Sequence, residues 1–255
     1  LKKGNKIYNA ASLLFNGKIQ GTYFKKILPN YGVFDENRYF EPGKKEFIFV
    51  HKGLKIGLLI CEDAWKASPS QLLKKKSVDA IIVINASPYE IEKYEKRVKI
   101  ISKLAKETKS TVIYVNAIGG QDELIFDGGS FVVSKHAKLI HQLSFFKEET
   151  AIIDVSSKIN IKNNFDESPY NKESHLYEAL KLALRDYVVK NNFKSLFIGL
   201  SGGIDSALVL ALANDVFDKK NITAVMMPSE FTSKISIIES RKIIKNTGVN
   251  YKEIN

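Results

Sequence analysis

The sequence predicts an α/β protein built in two successive parts, and three observations carry that expectation. Short apolar runs of strand length alternate with amphipathic helical stretches over the first 157 residues. A polar, non-periodic run at 158–171 then interrupts them, and reads as a linker. Beyond it, an apolar strand, a glycine-rich turn and an apolar helix follow one another at 195–217, the way a doubly wound parallel sheet begins.

Composition narrows the class. A chain of 255 residues has room for one large domain or two modest ones. Its 44% apolar content is ordinary for a globular protein, and no apolar run approaches the ~20 residues of a membrane span. No signal-peptide pattern opens the sequence. The single cysteine, Cys61, excludes an intramolecular disulfide and fits a reducing, cytoplasmic setting. Leu1 leads almost at once into a strand-like segment, so the chain is expected to be a piece of something longer. The net charge of +11 invites a nucleic-acid reading. Against it, the lysines are scattered, with Lys74-Lys75-Lys76 the longest run, and the chain is rich in Ile and Asn. A general compositional bias is the simpler source, and a basic surface suits an anionic nucleotide equally well.

The elements follow in order. Asn16-Gly17 between Ser12–Phe15 and Lys18-Ile19 is the preferred pair of a type I′ hairpin turn. Residues 23–40 are aromatic, proline-punctuated and loop-like. Phe47–Val50 and Leu54–Ile60 read as strands, the second running straight into Cys61-Glu62-Asp63-Ala64-Trp65. Val78–Ile84 is a strand ending in Asn85-Ala86-Ser87-Pro88-Tyr89. Apolar spacing at Ile91, Tyr94, Val98, Ile101 and Leu104 predicts a helix over 90–108. Strands are expected at 111–115, 130–134, 137–139 and 151–155, completing the first sheet. After the linker, a helix is expected over 172–190 with Leu176, Leu180, Ala183, Leu184 and Tyr187 as its buried stripe. Strands at 195–200, 222–227 and from 249 then alternate with helices at 207–217 and 235–247, the last stopped by Gly248.

Two places in this pattern could carry chemistry. Cys61 sits where a buried strand breaks into a polar turn, a position that can expose a nucleophile's sulfur; it would need a nearby cation or base. The plainer alternative is a small apolar residue closing a core strand. The other place is Gly199-Leu200-Ser201-Gly202-Gly203-Ile204-Asp205-Ser206. Glycines let the backbone approach phosphate oxygens, and a helix N-terminus behind them favours an anion. Ser201 and Ser206 add hydroxyl donors, and Asp205 makes sense as a ligand of a shared Mg²⁺. The spacing is not that of a Walker A loop, since no Lys follows the glycines. His136 and His141 have no Cys or carboxylate partners at ligand spacing.

These residues carry two resemblances. The SGGIDS string resembles the loop of the ATP pyrophosphatases, which implies ATP binding by Gly199–Ser206 with Asp205 on the metal. Lys25 in Y-F-K-K-I-L, Cys61 in L-L-I-C-E-D-A-W, and N-A-S-P-Y at 85–89 are together similar to the glutamine-hydrolysing domain of the nitrilase superfamily. That implies an αββα sandwich over 1–157, here incomplete at its N-terminus, and a Glu–Lys–Cys triad. By position Cys61 matches the nucleophile and Lys25 the lysine, with Lys26 beside it as a rival. Tyr31, Ser87 and Lys93 fall where that family holds glutamine. The triad glutamate would precede Leu1, and Asp35, Glu36, Glu62 and Asp63 do not occupy its slot.

The pairing of the two, with L-P-N-Y-G-V-F-D-E and M-P-S-x-x-T-S, resembles the glutamine-dependent NAD⁺ synthetase family. The resemblance implies glutamine, ATP and deamido-NAD⁺ as substrates, Mg²⁺ as a cofactor, a homo-oligomer, and residues 172–255 as the first part of the synthetase domain. The piece alone is expected to have little synthetase activity. Two departures stand out: Glu230-Phe231 replaces the usual Arg-Tyr, and Glu92 replaces a usual glycine. Two other readings stay open: a different SGGxDS enzyme acting on RNA, and a non-catalytic nucleotide-binding remnant.

Overall fold

The computed structural model describes residues 1–155 and 171–254, so most of the expected linker at 158–171 lies outside the described residues. The chain forms two compact units. One comprises Leu1–Ile118 with the described residues from Phe126 to residue 155; the other comprises Gly119–Ile125 with those from Asn171 onward.

In the first unit, β1 (Lys2–Lys3) pairs with β2 (Lys6–Ile7), and β3 (Ala10–Phe15) with β4 (Lys18–Phe24), both antiparallel. Asn16 and Gly17 take φ of 48° and 71° between the latter pair, as a type I′ turn requires. The short helix α1 (Glu36–Tyr39) follows, then β5 (Ile48–His51), β6 (Leu54–Ile60), α2 (Ala67–Lys75), β7 (Ala80–Asn85), α3 (Lys93–Thr108) and β8 (Thr111–Asn116). The hairpin β9 (Ile118–Gln121) and β10 (Leu124–Asp127) precedes β11 (Phe131–Val133) and β12 (Leu139–Gln142).

The main sheet runs β12-β11-β8-β7-β6-β5, with β6, β7 and β8 parallel and the outer pairs antiparallel. Parallel strands need crossovers, and α2 and α3 supply them. Leu73, Ile101, Leu104 and Ala105 from those helices bury against Leu58, Ile81, Val83 and Val112 of the sheet. Ile60, Ile84 and Asn116 stand near one another at the carboxyl ends of the three parallel strands. This is the end at which α/β sheets present their loops to ligands.

Several boundaries differ from expectation. Residues 151–155 form no strand. The strand expected at 137–139 runs from Leu139 to Gln142, because Ser134–Ala137 closes a turn with Ala137 at φ 62°. Helix α3 starts at Lys93, not 90, because Glu92 is left-handed and Ile91 lies outside the helix, half exposed.

The second unit contains α4 (Lys172–Lys190), β13 (Leu196–Gly199), α5 (Ile204–Val216), β14 (Ile222–Met226), α6 (Lys234–Thr247) and β15 (Asn250–Glu253). Asn171 caps α4, its Oδ1 accepting from Ser174 N–H at 2.7 Å. Gly248, at φ 68°, ends α6 as expected. The sheet is parallel in the order β13-β14-β15, packed with α5 and α6 around Ile198, Leu210, Ala213, Ile222 and Ala224. Helix α4 buries Ala179, Leu182 and Val188; the expected stripe is largely exposed at Leu176, Leu180 and Tyr187, although Leu184 does pack on the core. Residues 119–125 lie on α4, where Gly120 N–H donates to Asp186 Oδ2 at 2.8 Å and Lys190 Nζ donates to Gly120 O at 2.6 Å.

Candidate active site

Strand β6 is buried from Ile56 to Ile60, and its apolar residues carry the chain through the core to Cys61. There the chain turns sharply. Cys61 has φ 44°, a left-handed backbone rare for a residue with a Cβ, and opens a 3₁₀ turn spanning Cys61–Ala64. The strain presents the sulfur at the strand's end. Burial pushes the Cys61 thiol above its usual value; Lys25 and the Glu62 backbone N–H pull the other way, while Glu62 and Glu36 oppose ionisation.

Lys25 directly follows β4, and its backbone N–H donates to Asn9 O at 2.9 Å. Its side chain is almost fully buried, with Nζ 2.5 Å from Glu36 Oε1. Of the two adjacent lysines, Lys25 is the buried one whose charge acts on Cys61. Glu36, which the sequence offered only as a misplaced carboxylate, is therefore its partner, supplied by α1; Asn9 also donates to Glu36, at 3.4 Å. Asp63, whose sequence position gives it no role either, is fully buried two residues after the cysteine.

Of the expected glutamine contacts, Tyr31 and Lys93 reach the stretch from Cys61 to Trp65. Tyr31 donates its hydroxyl to Glu62 Oε2 at 2.8 Å, and its pKa is pushed up to about 12 by burial and by that bond. Cys61 and Glu90 add to the same upward shift. Lys93 Nζ pairs with Glu90 Oε1 at 2.6 Å and lies 5.9 Å from the centre of the Trp65 ring. Glu92, just before it, stands in the left-handed region at φ 68°, which explains why a glycine suits that position.

Ser87 is buried and held from three sides. Arg97 Nε donates to Ser87 Oγ at 3.1 Å, and its Nη2 donates to Ser87 O at 2.8 Å and Pro88 O at 2.9 Å. Ser87 N–H donates to Asn116 Oδ1 at 2.9 Å. Arg97 in turn donates from Nη1 to both oxygens of Asp127, at 2.8 and 2.7 Å. Both members of that pair are almost fully buried. Tyr114, on β8, has its hydroxyl near Ser87, Arg97 and Cys61, and burial raises its pKa. Arg97 escapes a reading of the sequence because a basic residue on a lysine-rich helix looks solvated. Its spacing from Tyr94, Ile101 and Leu104, at steps of three and four, is the available signal.

The loop at 199–206 belongs to the second unit. Gly202 has φ 82°, and a Cβ there would lie 2.3 Å from Ser236 O in the first turn of α6. Gly203 is the N-cap of α5 and brings no side chain over its first-turn amides. The loop is tied by Ser201 N–H to Ser206 Oγ at 3.2 Å, Gly203 N–H to Ser201 Oγ at 3.3 Å, and Ser206 Oγ to Gly203 O at 3.1 Å. Leu200 is buried beneath it, while Gly199, Ser201, Gly203, Ile204 and Asp205 are exposed. The next loop, after β14, folds on itself through Ser229 and Thr232, leaving Phe231 exposed beside Glu230.

Comparison with known proteins follows the same division. The family model for carbon-nitrogen hydrolase matches residues 1–160, and that for NAD synthase matches 176–255. A glutamine-dependent NAD(+) synthetase of Acinetobacter baylyi is 40% identical over 245 residues, covering 96% of this chain and 45% of its own length. Its counterpart from Aquifex aeolicus is 36% identical over 282 residues, covering 97% and 50%. The solved structure of a glutamine-dependent NAD+ synthetase from Acinetobacter baumannii in complex with ADP matches with a TM-score of 0.93 at 39% identity, over 99% of this chain and 48% of that one. The chain thus spans about half the length of the curated relatives it matches. A carbon-nitrogen hydrolase from Helicobacter pylori G27, at 24% identity and a TM-score of 0.51 over 55% of this chain, shares the fold of part of it. The match over residues 1–160 takes in more than half of the sequence, and by it the chain belongs to the carbon–nitrogen hydrolase family.

Proposed function

We propose that the chain is part of a glutamine-dependent NAD⁺ synthetase, with a glutaminase domain over 1–157, a linker at 158–171 and the first part of the synthetase domain over 172–255. The observation that carries the reading is Lys25, buried with Glu36 and acting on the Cys61 thiol. The matches to glutamine-dependent NAD⁺ synthetases along nearly the whole chain support it.

In this reading the Cys61 thiolate attacks the side-chain carbonyl carbon of glutamine. Lys25 and the Glu62 N–H face the negative charge that develops there. The C–N bond breaks, ammonia leaves with a proton, and water hydrolyses the remaining thioester to glutamate. Tyr31, Ser87 and Lys93 orient the substrate. Ammonia then displaces AMP from deamido-NAD⁺ adenylylated by ATP. The loop from Gly199 to Ser206 holds the ATP phosphates on its amides and hydroxyls.

Asp205, exposed in the first turn of α5, would hold Mg²⁺, which supplies neutralisation of phosphate charge when bound. Among the described residues no group of three or more His, Cys, Asp or Glu side chains could hold a metal ion by itself. No helix among the described residues is long and apolar enough to cross a membrane. A cytoplasmic homo-oligomer is part of the same reading.

The test uses the intact parent protein. Cys61→Ala is expected to abolish glutamine-driven NAD⁺ synthesis and leave ammonia-driven synthesis within about twofold of wild type. Equal loss of both, or of neither, would overturn the assignment.

A further inference from the structure

Asp63 takes no part in the proposed chemistry, yet its carboxylate is fully buried and accepts four hydrogen bonds. Oδ1 accepts from the backbone N–H of Lys26 at 3.1 Å and of Ile27 at 2.8 Å. Oδ2 accepts from Tyr23 Oη at 2.8 Å and from the backbone N–H of Ile60 at 3.2 Å. The donors fall into two groups. Tyr23, Lys26 and Ile27 flank Lys25; Ile60 directly precedes Cys61. One carboxylate therefore closes a ring through both segments.

A carboxylate offers about four lone-pair sites, and all four contacts point donors at it. An amide in its place would turn an NH₂ toward two of those donors. Burial pushes the Asp63 carboxyl up, and the bonds from Ile27, Tyr23, Ile60 and Lys26 hold it down. The Lys25 ammonium is engaged with Glu36, so Asp63 acts on the lysine through its neighbours, the backbone of Lys26 and Ile27 and the hydroxyl of Tyr23.

We propose that Asp63 is a positioning residue that fixes the distance between the Lys25 ammonium and the Cys61 sulfur. The proposal rests on the reading above only in taking Lys25 and Cys61 as a working pair. The charged and titratable groups acting on Cys61 are Lys25 at the end of β4, Glu36 on α1, Glu62 on its own turn, Tyr31 in the loop before α1, and Tyr114 on β8. If the ring opens, Lys25 retreats and the thiolate loses its one cation in that set.

The test is the pH profile of Cys61 alkylation by iodoacetamide. Cys61 is the only cysteine of these 255 residues, and in the intact protein its alkylation is read by mass on the peptide that carries it. Asp63→Asn is expected to move the midpoint upward, and alkylation below the midpoint slows about tenfold for each pH unit that the midpoint rises. Removing a nearby negative charge without any movement would shift the midpoint downward, so the two explanations differ in sign. An unmoved or lowered midpoint, even with a reduced Tm, would overturn the proposal. Should Asp63→Asn not fold, Tyr23→Phe decides: it removes one donor, and a smaller upward shift is expected, with no shift counting against. Glutamine turnover is not needed for this readout. A wild type that hydrolyses no glutamine in the intact protein would defeat the proposed function and leave the alkylation result standing.

Discussion

At the residue scale, the site is a balance of charges around one buried sulfur. Burial is the largest influence on the Cys61 thiol and raises its pKa, and Lys25 is the largest influence opposing it. Lys25→Met should therefore raise the midpoint of alkylation further and slow the reaction at neutral pH, a profile readable with iodoacetamide. The sign follows from losing a cation that favours the thiolate. A second prediction concerns Glu92, whose left-handed backbone costs a non-glycine residue about 1 kcal/mol or more. Glu92→Gly is expected to leave Tm unchanged or raise it by a few degrees, since relieved strain exceeds the added chain entropy. Cys61 and Lys25 could be singled out in the sequence because each lies in a string that resembles a known motif, and the structure adds that Lys25 is buried and its charge acts on the Cys61 thiol. Glu36, Asp63 and Arg97 were not, because a single charged letter says nothing of its partner. Each acquires a role from a residue 11 to 40 positions away, as Lys25 does for Glu36, Tyr23 for Asp63 and Asp127 for Arg97.

At the scale of elements, the parallel strands β6, β7 and β8 bring Cys61, the Ser87 loop and Asn116 to one end of the sheet. Helix α3 locks that end through Arg97. Arg97→Met leaves Asp127 buried without its cation, and should cost about 3–5 kcal/mol by denaturant unfolding. In the fraction that stays folded, KM for glutamine should rise more than kcat falls, because Ser87 rather than Cys61 loses its support. In the second unit, Gly202→Ala meets both a positive φ and the Ser236 backbone. A penalty of about 1–3 kcal/mol at the loop should weaken ATP binding roughly ten- to hundredfold in the intact protein, measured by calorimetry, with Cys61 alkylation unaffected. The hairpin turn and the buried strands were readable because turn chemistry and apolar runs are local signals. Helix α2, written A-S-P-S-Q-L-L-K-K, offers only two large apolar residues and gives no such signal. Helix α4 was legible as a helix but not in its buried face, since leucines occur on more than one side of it and only packing selects which side is buried.

At the scale of the whole molecule, the charge of +11 is spread over many separate lysines. Contacts with a polyanion would then be purely electrostatic, and their affinity falls steeply with salt. Any retention of tRNA seen at about 20 mM salt is expected to vanish by about 150 mM in a filter-binding assay. Persistence there would favour an enzyme acting on RNA. The two-part organisation was visible in the sequence because the chain changes character near residue 158. The grouping of Gly119–Ile125 with the later residues was not, because nothing in G-G-Q-D-E-L-I shows that its backbone is claimed by Asp186 and Lys190. That grouping bears on how such proteins can be recombined. A chimera joined anywhere between 158 and 171 would inherit Gly120 from one parent and residues 186 and 190 from the other. Crossovers at this boundary should yield well-behaved hybrids only when the short stretch at 119–125 travels with the later half of the gene.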